Sequence, residues 1–136
     1  MNRRAKLGGV LLASVLAIFG LAACTGPDPA VLRDGETRTS PSGGYTSEFL
    51  SEQINGKRNV YPVIKDSSGT IVWQDDRRYL MSAHPVGVIW QEDEDVLWLL
   101  SSDIGHSKVV QVDGVWTKEW DALPLPPGIK RIEEGK

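Results

Sequence analysis

One cysteine, Cys24, and two histidines, His84 and His106, are all the thiol and imidazole metal ligands in this 136-residue chain. A single thiol cannot form an intramolecular disulfide, so packing alone has to stabilise any domain the chain forms. The same count excludes a cysteine-built zinc centre, and two histidines do not close a tetrahedral site. His84 precedes Pro85 and His106 follows Gly105, which puts both in expected loops. There is no calcium loop of Asp-x-Asp-x-Asp-Gly spacing, and no nucleophile elbow surrounds Ser101 or Ser102. No cofactor is expected. Residues 1–23 contain no acidic side chain, and that absence frames what stands there instead.

The basic start Arg3, Arg4 and Lys6 leads into an uncharged run, Leu7 to Leu21, of 15 residues. A bilayer-spanning helix needs roughly 20 residues, so residues 1–23 read as a cleaved export signal and not as a permanent anchor. The run closes on Leu21-Ala22-Ala23-Cys24. This tetrapeptide resembles the lipobox of bacterial lipoproteins: Leu first, small residues next, an obligatory Cys last. The resemblance implies that Cys24 receives a diacylglyceryl group and that a dedicated signal peptidase cuts just before it. The new amino group is often acylated as well. It also implies an exported protein anchored in a lipid bilayer through Cys24. The membrane would be the outer face of the cell membrane, or the outer membrane in a Gram-negative cell. Two or three acyl chains hold a protein on a bilayer where one would be marginal, at about 0.8 kcal/mol per buried CH2. The other common fate of a lone cysteine is burial in a core, but TGPDPAVLRDGETRTSPSGG, which follows it, offers nothing to bury it.

Removal of residues 1–23 leaves 12 Lys+Arg against 18 Asp+Glu, a net charge of −6. An acidic surface opposes nucleic acid, so no nucleic-acid partner is expected. Residues 24–44, with the lipidated Cys at their head, lack aromatics and are broken by Pro27, Pro29, Pro41, Gly35, Gly43 and Gly44, which predicts a flexible linker. Such a linker would span about 25 Å on average as a random coil.

The pattern changes at Tyr45. Short runs rich in Val, Ile, Tyr and Trp alternate with turn signals through Trp120, so residues 45–120 are expected to form a small all-β domain. Asn55-Gly56 and Asp113-Gly114 are two-residue hairpin signals. Pro62 points to an edge strand or a bulge, and VLWLL (residues 96–100) to a central strand covered on both faces. About six to eight antiparallel strands in meander order are expected, as an open sheet, a sandwich or a barrel. SPSGGY (Ser40 to Tyr45) looks locally like the opening of a β-propeller blade, with Ser42 where an Asp often stands. The domain has room for about two blades, too few for a closed propeller. The five tryptophans read mainly as core, in place of disulfides, the alternative being a ligand platform such as a sugar-binding surface. Residues 121–136 read as a Pro-rich tail of polyproline II character, lying across the sheet through Leu123, Leu125 and Ile129, or mobile, the alternative being to dock in an aromatic groove of another protein.

His84, Asp103 and Ser101 or Ser102 supply the residue types of a hydrolase triad without its motif. Gln91 to Asp95 reads as a solvated acidic turn. SSDIGHS (Ser101 to Ser107) is the loop best equipped to meet a partner, with Asp103 and His106 as the contact residues. The alternative is that Asp103 and Gly105 merely close a turn. The expected role is non-enzymatic: binding an envelope protein or glycan near the membrane. The rival classes are an inhibitor or immunity protein against an envelope-active enzyme, and a small hydrolase.

Overall fold

The computed structural model describes residues 28–135; residues 1–23, read from the sequence as an export signal, and Cys24 lie outside the described residues. Eight strands form two four-stranded antiparallel meanders. The first sheet orders β1 (Thr37–Thr39), β2 (Tyr45–Ile54), β3 (Lys57–Asp66) and β4 (Ile71–Gln74). The second orders β5 (Gly87–Trp90), β6 (Leu97–Leu100), β7 (Ser107–Val112) and β8 (Val115–Trp120). One short helix, α1 (Pro127–Glu134), follows. The all-β meander is therefore the fold, divided into two open sheets across a shared core.

Both hairpin signals form as read. Asn55 and Gly56 take φ of 53° and 76°, and Asp113 and Gly114 take 55° and 78°. These are the paired left-handed dihedrals that let a two-residue turn follow the twist of its strands. SPSGGY makes the β1–β2 connection, where Ser40 accepts from Tyr45 N–H and donates its own N–H to Tyr45 O. The carboxylate missing from position 42 arrives from elsewhere, since Ser42 donates its hydroxyl and its N–H to Asp95 at 2.5 and 3.0 Å.

The core lies between the sheets. Phe49, Val60 and Ile64 from the first meet Val88, Trp90, Leu97, Leu99, Val109 and Trp116 from the second. Tyr45 and Trp90 each pack edge-on against Trp116, with ring centroids at 5.0 and 6.2 Å. All four residues of β6 are buried, as expected of a strand covered on both faces. Its Leu97 and Leu99 enter the inter-sheet core, and its Trp98 and Leu100 face a second cluster with Ile89, Ala122 and Ile129. Trp90, Trp98 and Trp116 are core, Trp73 is half-buried against it, and Trp120 is 43 % exposed.

The structure differs from the sequence reading in three places. Residues 28–44 are not a linker through their described length: Leu32 is 3 % exposed in the inter-sheet core, its N–H bonds Val88 O at 2.8 Å, and β1 pairs with β2. A polar edge strand needs few apolar residues, so one buried leucine and a hydrogen-bond ladder order a segment whose composition reads as coil. The tail likewise carries α1, with Pro127 at its first turn, where a missing N–H costs no helical bond. Ile129 is buried and Ile132 half-buried against the Trp98 face, too short a repeat to be read as helical period. Leu125 joins them, whereas Leu123 is 73 % exposed. Finally, Pro62 lies in an inner strand and not at an edge, although the pairing of β3 with β4 shifts register close by, between Ile64 and Lys65. Its carbonyl accepts from Asp75 N–H, Val60 exchanges both bonds with Tyr79, and the chain loops out between them, so no donor is needed from Pro62.

Candidate functional site

One end of the two sheets holds the turn that carries His84 and the loop between β6 and β7. His84 is fixed there by a turn in which its N–H and that of Ala83 both bond Leu80 O, at 2.8 and 2.9 Å. Asp103 projects from the β6–β7 loop. Ser101 builds that loop: its hydroxyl accepts from the N–H groups of Asp103 and Ile104, each at 3.2 Å, and its carbonyl accepts from Gly105 N–H at 3.1 Å. Gly105 takes φ of 97°, a conformation that a β-carbon would strain. The turn is thus closed by Ser101 and Gly105, and Asp103 is spared for another contact.

That contact is His84, whose Nδ1 lies 2.6 Å from Asp103 Oδ2. A carboxylate can only accept, so Nδ1 carries the proton, and in the neutral imidazole Nε2 keeps its lone pair. The pair sits at a cleft of about 240 Å³ walled by Arg77, Arg78, Tyr79 and Ile104. Their side chains are 68 % and 47 % exposed. Among the described residues no carboxylate lies within ion-pair distance of Arg77, whose guanidinium stands 5.7 Å from the Trp120 ring. Arg78 is committed: it bonds Glu52 and Asp75 O and lies 3.6 Å over the Tyr61 ring.

Beneath the cleft Tyr79 donates its hydroxyl to the fully buried Asp75 at 2.8 Å, and Lys118 Nζ reaches the other carboxylate oxygen at 2.9 Å. Burial, followed by the Asp75 charge and its hydrogen bond, pushes the Tyr79 hydroxyl far above the usual tyrosine range. Tyr79 therefore stays a neutral donor and holds the cleft floor in place. Asp75, Tyr79 and Lys118 have no sequence signature. They are 43 residues apart at the extremes and meet only because β8 returns beside the end of β4.

The two residues expected to act together in SSDIGHS part company. His106 turns inward, 19 % exposed; its Nδ1 accepts Ser101 N–H at 3.1 Å and its Nε2 faces Glu133 of α1 at 3.6 Å. It braces the loop, while Asp103 faces solvent. Ser101 is 5 % exposed with its lone pairs given to two amides, and no hydrogen bond joins it to His84 among the described residues. The acidic turn Gln91–Asp95 is tied internally by Gln91 to Asp93 and Glu94, and the described residues contain no group of three metal-ligating side chains. A larger cleft of about 510 Å³, lined by Leu32, Val60, Leu80, Met81 and Val86, carries the Arg58–Asp34 ion pair among its walls.

The His84–Asp103 cleft brings an imidazole, an exposed carboxylate and Arg77 to one concavity, groups that can hydrogen-bond a ligand. No family model matches this chain, and no curated protein and no solved structure matches it either.

Proposed function

We propose that this chain is a lipid-anchored protein of the bacterial envelope whose β-domain binds an envelope protein or glycan through the His84–Asp103 cleft. The address rests on the lipobox resemblance at Leu21 to Cys24. The site rests on one observation: an exposed His84–Asp103 pair beside an Arg77 that has no carboxylate partner among the described residues. Buried polar side-chain atoms elsewhere in the described residues all have partners, so unspent hydrogen-bonding capacity concentrates on exposed groups such as these. Intact mass spectrometry should give a mature chain beginning at Cys24 with acyl mass. Crosslinked capture with the lipidated protein should recover a partner that His84→Ala and Asp103→Ala both lose. Recovery of one enzyme in stoichiometric amount would move the role to inhibitor or immunity protein, a class the mature charge of −6 suits if the enzyme is basic.

The 2.6 Å His84–Asp103 contact also favours a second reading, a small hydrolase, because Nδ1 on a carboxylate with Nε2 free is the orientation a triad uses. The nucleophile is what it lacks, with Ser101 spent on the loop and Ser102 exposed in the same turn. Labelling by a fluorophosphonate probe that Ser102→Ala and His84→Ala both abolish would carry that reading; an unlabelled protein rejects it.

A further inference from the structure

The described residues begin at Asp28. The Asp28 carboxylate accepts Ala30 N–H at 2.8 Å and its carbonyl accepts Val31 N–H at 3.0 Å. Arg38 clamps Pro29 O with two guanidinium nitrogens at 3.2 and 3.0 Å, and Leu32 is buried against β5. The direction of this strap is legible from its neighbours. Leu32 bonds Val88, the 510 Å³ cleft brings Arg33 and Asp34 beside Val86 and Leu80, and Arg38, which holds Pro29, accepts Trp90 Nε1–H at its carbonyl. Residues 28–34 therefore run antiparallel to β5, with Asp28 at the Trp90 end and Asp34 at the end where His84 lies.

The two ends of the molecule then sort themselves. At the Asp28 end lie the β1–β2 connection, the Gln91–Asp95 turn bound to it through Ser42, and the β7–β8 hairpin, which runs three residues past the Leu97–Val109 pair. That hairpin tip exposes the cross-strand pair Val112 and Val115, at 44 % and 64 %. At the other end lie the Asn55-Gly56 hairpin, joined to Asp34 through Arg58, and the His84–Asp103 cleft.

We infer that the domain rides directly on the lipid headgroups with its Asp28 end toward the bilayer, Val112 and Val115 at the interface and the His84–Asp103 cleft facing away. This rests on the lipid-anchored reading. From Cys24 to Asp28 is four Cα steps, so whatever its conformation that segment spans at most about 14 Å. A domain of this length has a radius of gyration of about 13 Å and thus a width of roughly 35 Å. With Asp28 toward the Trp90 end, turning the molecule over would put most of the domain's roughly 35 Å width between that residue and its lipid, farther than the tether reaches. A short leash fixes orientation as well as height, and the partner must be met on the aqueous side within about 50 Å of the headgroups.

The test uses lipidated protein in vesicles of phosphatidylethanolamine and phosphatidylglycerol doped with a headgroup nitroxide lipid. A fluorophore is attached to an introduced cysteine, Val115→Cys at one end or Lys57→Cys at the other, Cys24 being blocked by its lipid. The label at 115 should be quenched and that at 57 should not. A 20-residue Gly/Ser insertion between Gly26 and Pro27 should erase the difference, since it adds about 25 Å of reach. Equal quenching at both positions without the insertion, in a chain that floats with the vesicles and carries acyl mass, overturns the orientation alone. A chain that neither floats nor carries acyl mass removes the anchor itself and the inference with it.

Discussion

Lys118 Nζ stands 2.9 Å from Asp75 Oδ1, and this contact ties β8 of one sheet to the chain leaving β4 of the other. Asp75 is fully buried and Lys118 is 10 % exposed. Tyr79 and the Arg77 N–H complete the set of donors to the carboxylate. Asp75→Ala leaves a buried ammonium and a buried hydroxyl without an acceptor, a loss of roughly 3–5 kcal/mol. Urea melts should show it, and the double variant Asp75→Ala with Lys118→Met should recover part of it. Strictly additive losses would mean that the pair is not coupled.

Alkaline pH should weaken the fold through Tyr79. Its proton is held in the folded state above the ordinary value of 10.0, by burial first and by Asp75 next. The stabilisation is fully present below pH 10 and is lost as pH rises, because the unfolded chain releases that proton while the folded chain keeps it. The slope from this one group is about 1.4 kcal/mol per pH unit. Tyr79→Phe should cost roughly 1–3 kcal/mol at neutral pH by stripping a donor from Asp75, and it should flatten the decline above pH 10. Melts from pH 8 to 11 that keep the wild-type slope in the variant would assign the decline to other groups.

Asp103 and His106 should separate binding from stability. Asp103→Ala removes an exposed carboxylate that the turn does not use, so stability should move by about 0.5 kcal/mol or less while partner capture falls. His106→Ala removes the acceptor of Ser101 N–H in a half-buried loop, and should cost roughly 1 kcal/mol with capture retained in proportion to the folded fraction. The reverse pattern in parallel melts and pull-downs would move the contact surface from the cleft to α1.

The strap should prove part of the domain. A chain beginning at Asp28 should fold, whereas one beginning at Gly44 loses β1, the Arg38–Pro29 clamp and Leu32. Leu32→Ala alone should cost about 2–5 kcal/mol, the range for emptying a buried leucine site. Equal melting of the two truncated chains would return residues 28–44 to the role of leash.

The Asp66 carboxyl should titrate below the ordinary value of 3.8, held there by the Ser68 hydroxyl first and by the amides of Thr70, Ser68 and Gly69. Its stabilisation is present above pH 3.8 and is lost as pH falls through the folded value. Carboxyl chemical shifts followed by NMR check it, and Ser68→Ala should bring the titration back toward 3.8.

Composition and local pattern determined the β class, the two I′ hairpins at Asn55-Gly56 and Asp113-Gly114, the doubly covered strand at Leu97–Leu100 and most of the tryptophan core. Each of these is written in dihedral preference or in the period of apolar residues, which neighbours along the chain decide between them. Tertiary structure decided the rest. Leu32 orders a segment that reads as coil, Ile129 and Ile132 find a helix's docking face on Trp98, Lys118 meets Asp75, and His84 meets Asp103 instead of His106. These outcomes depend on which residues distant in sequence the sheet pairing brings within a few ångströms, and the energy of such a contact is a property of the pair and its burial, absent from either residue alone.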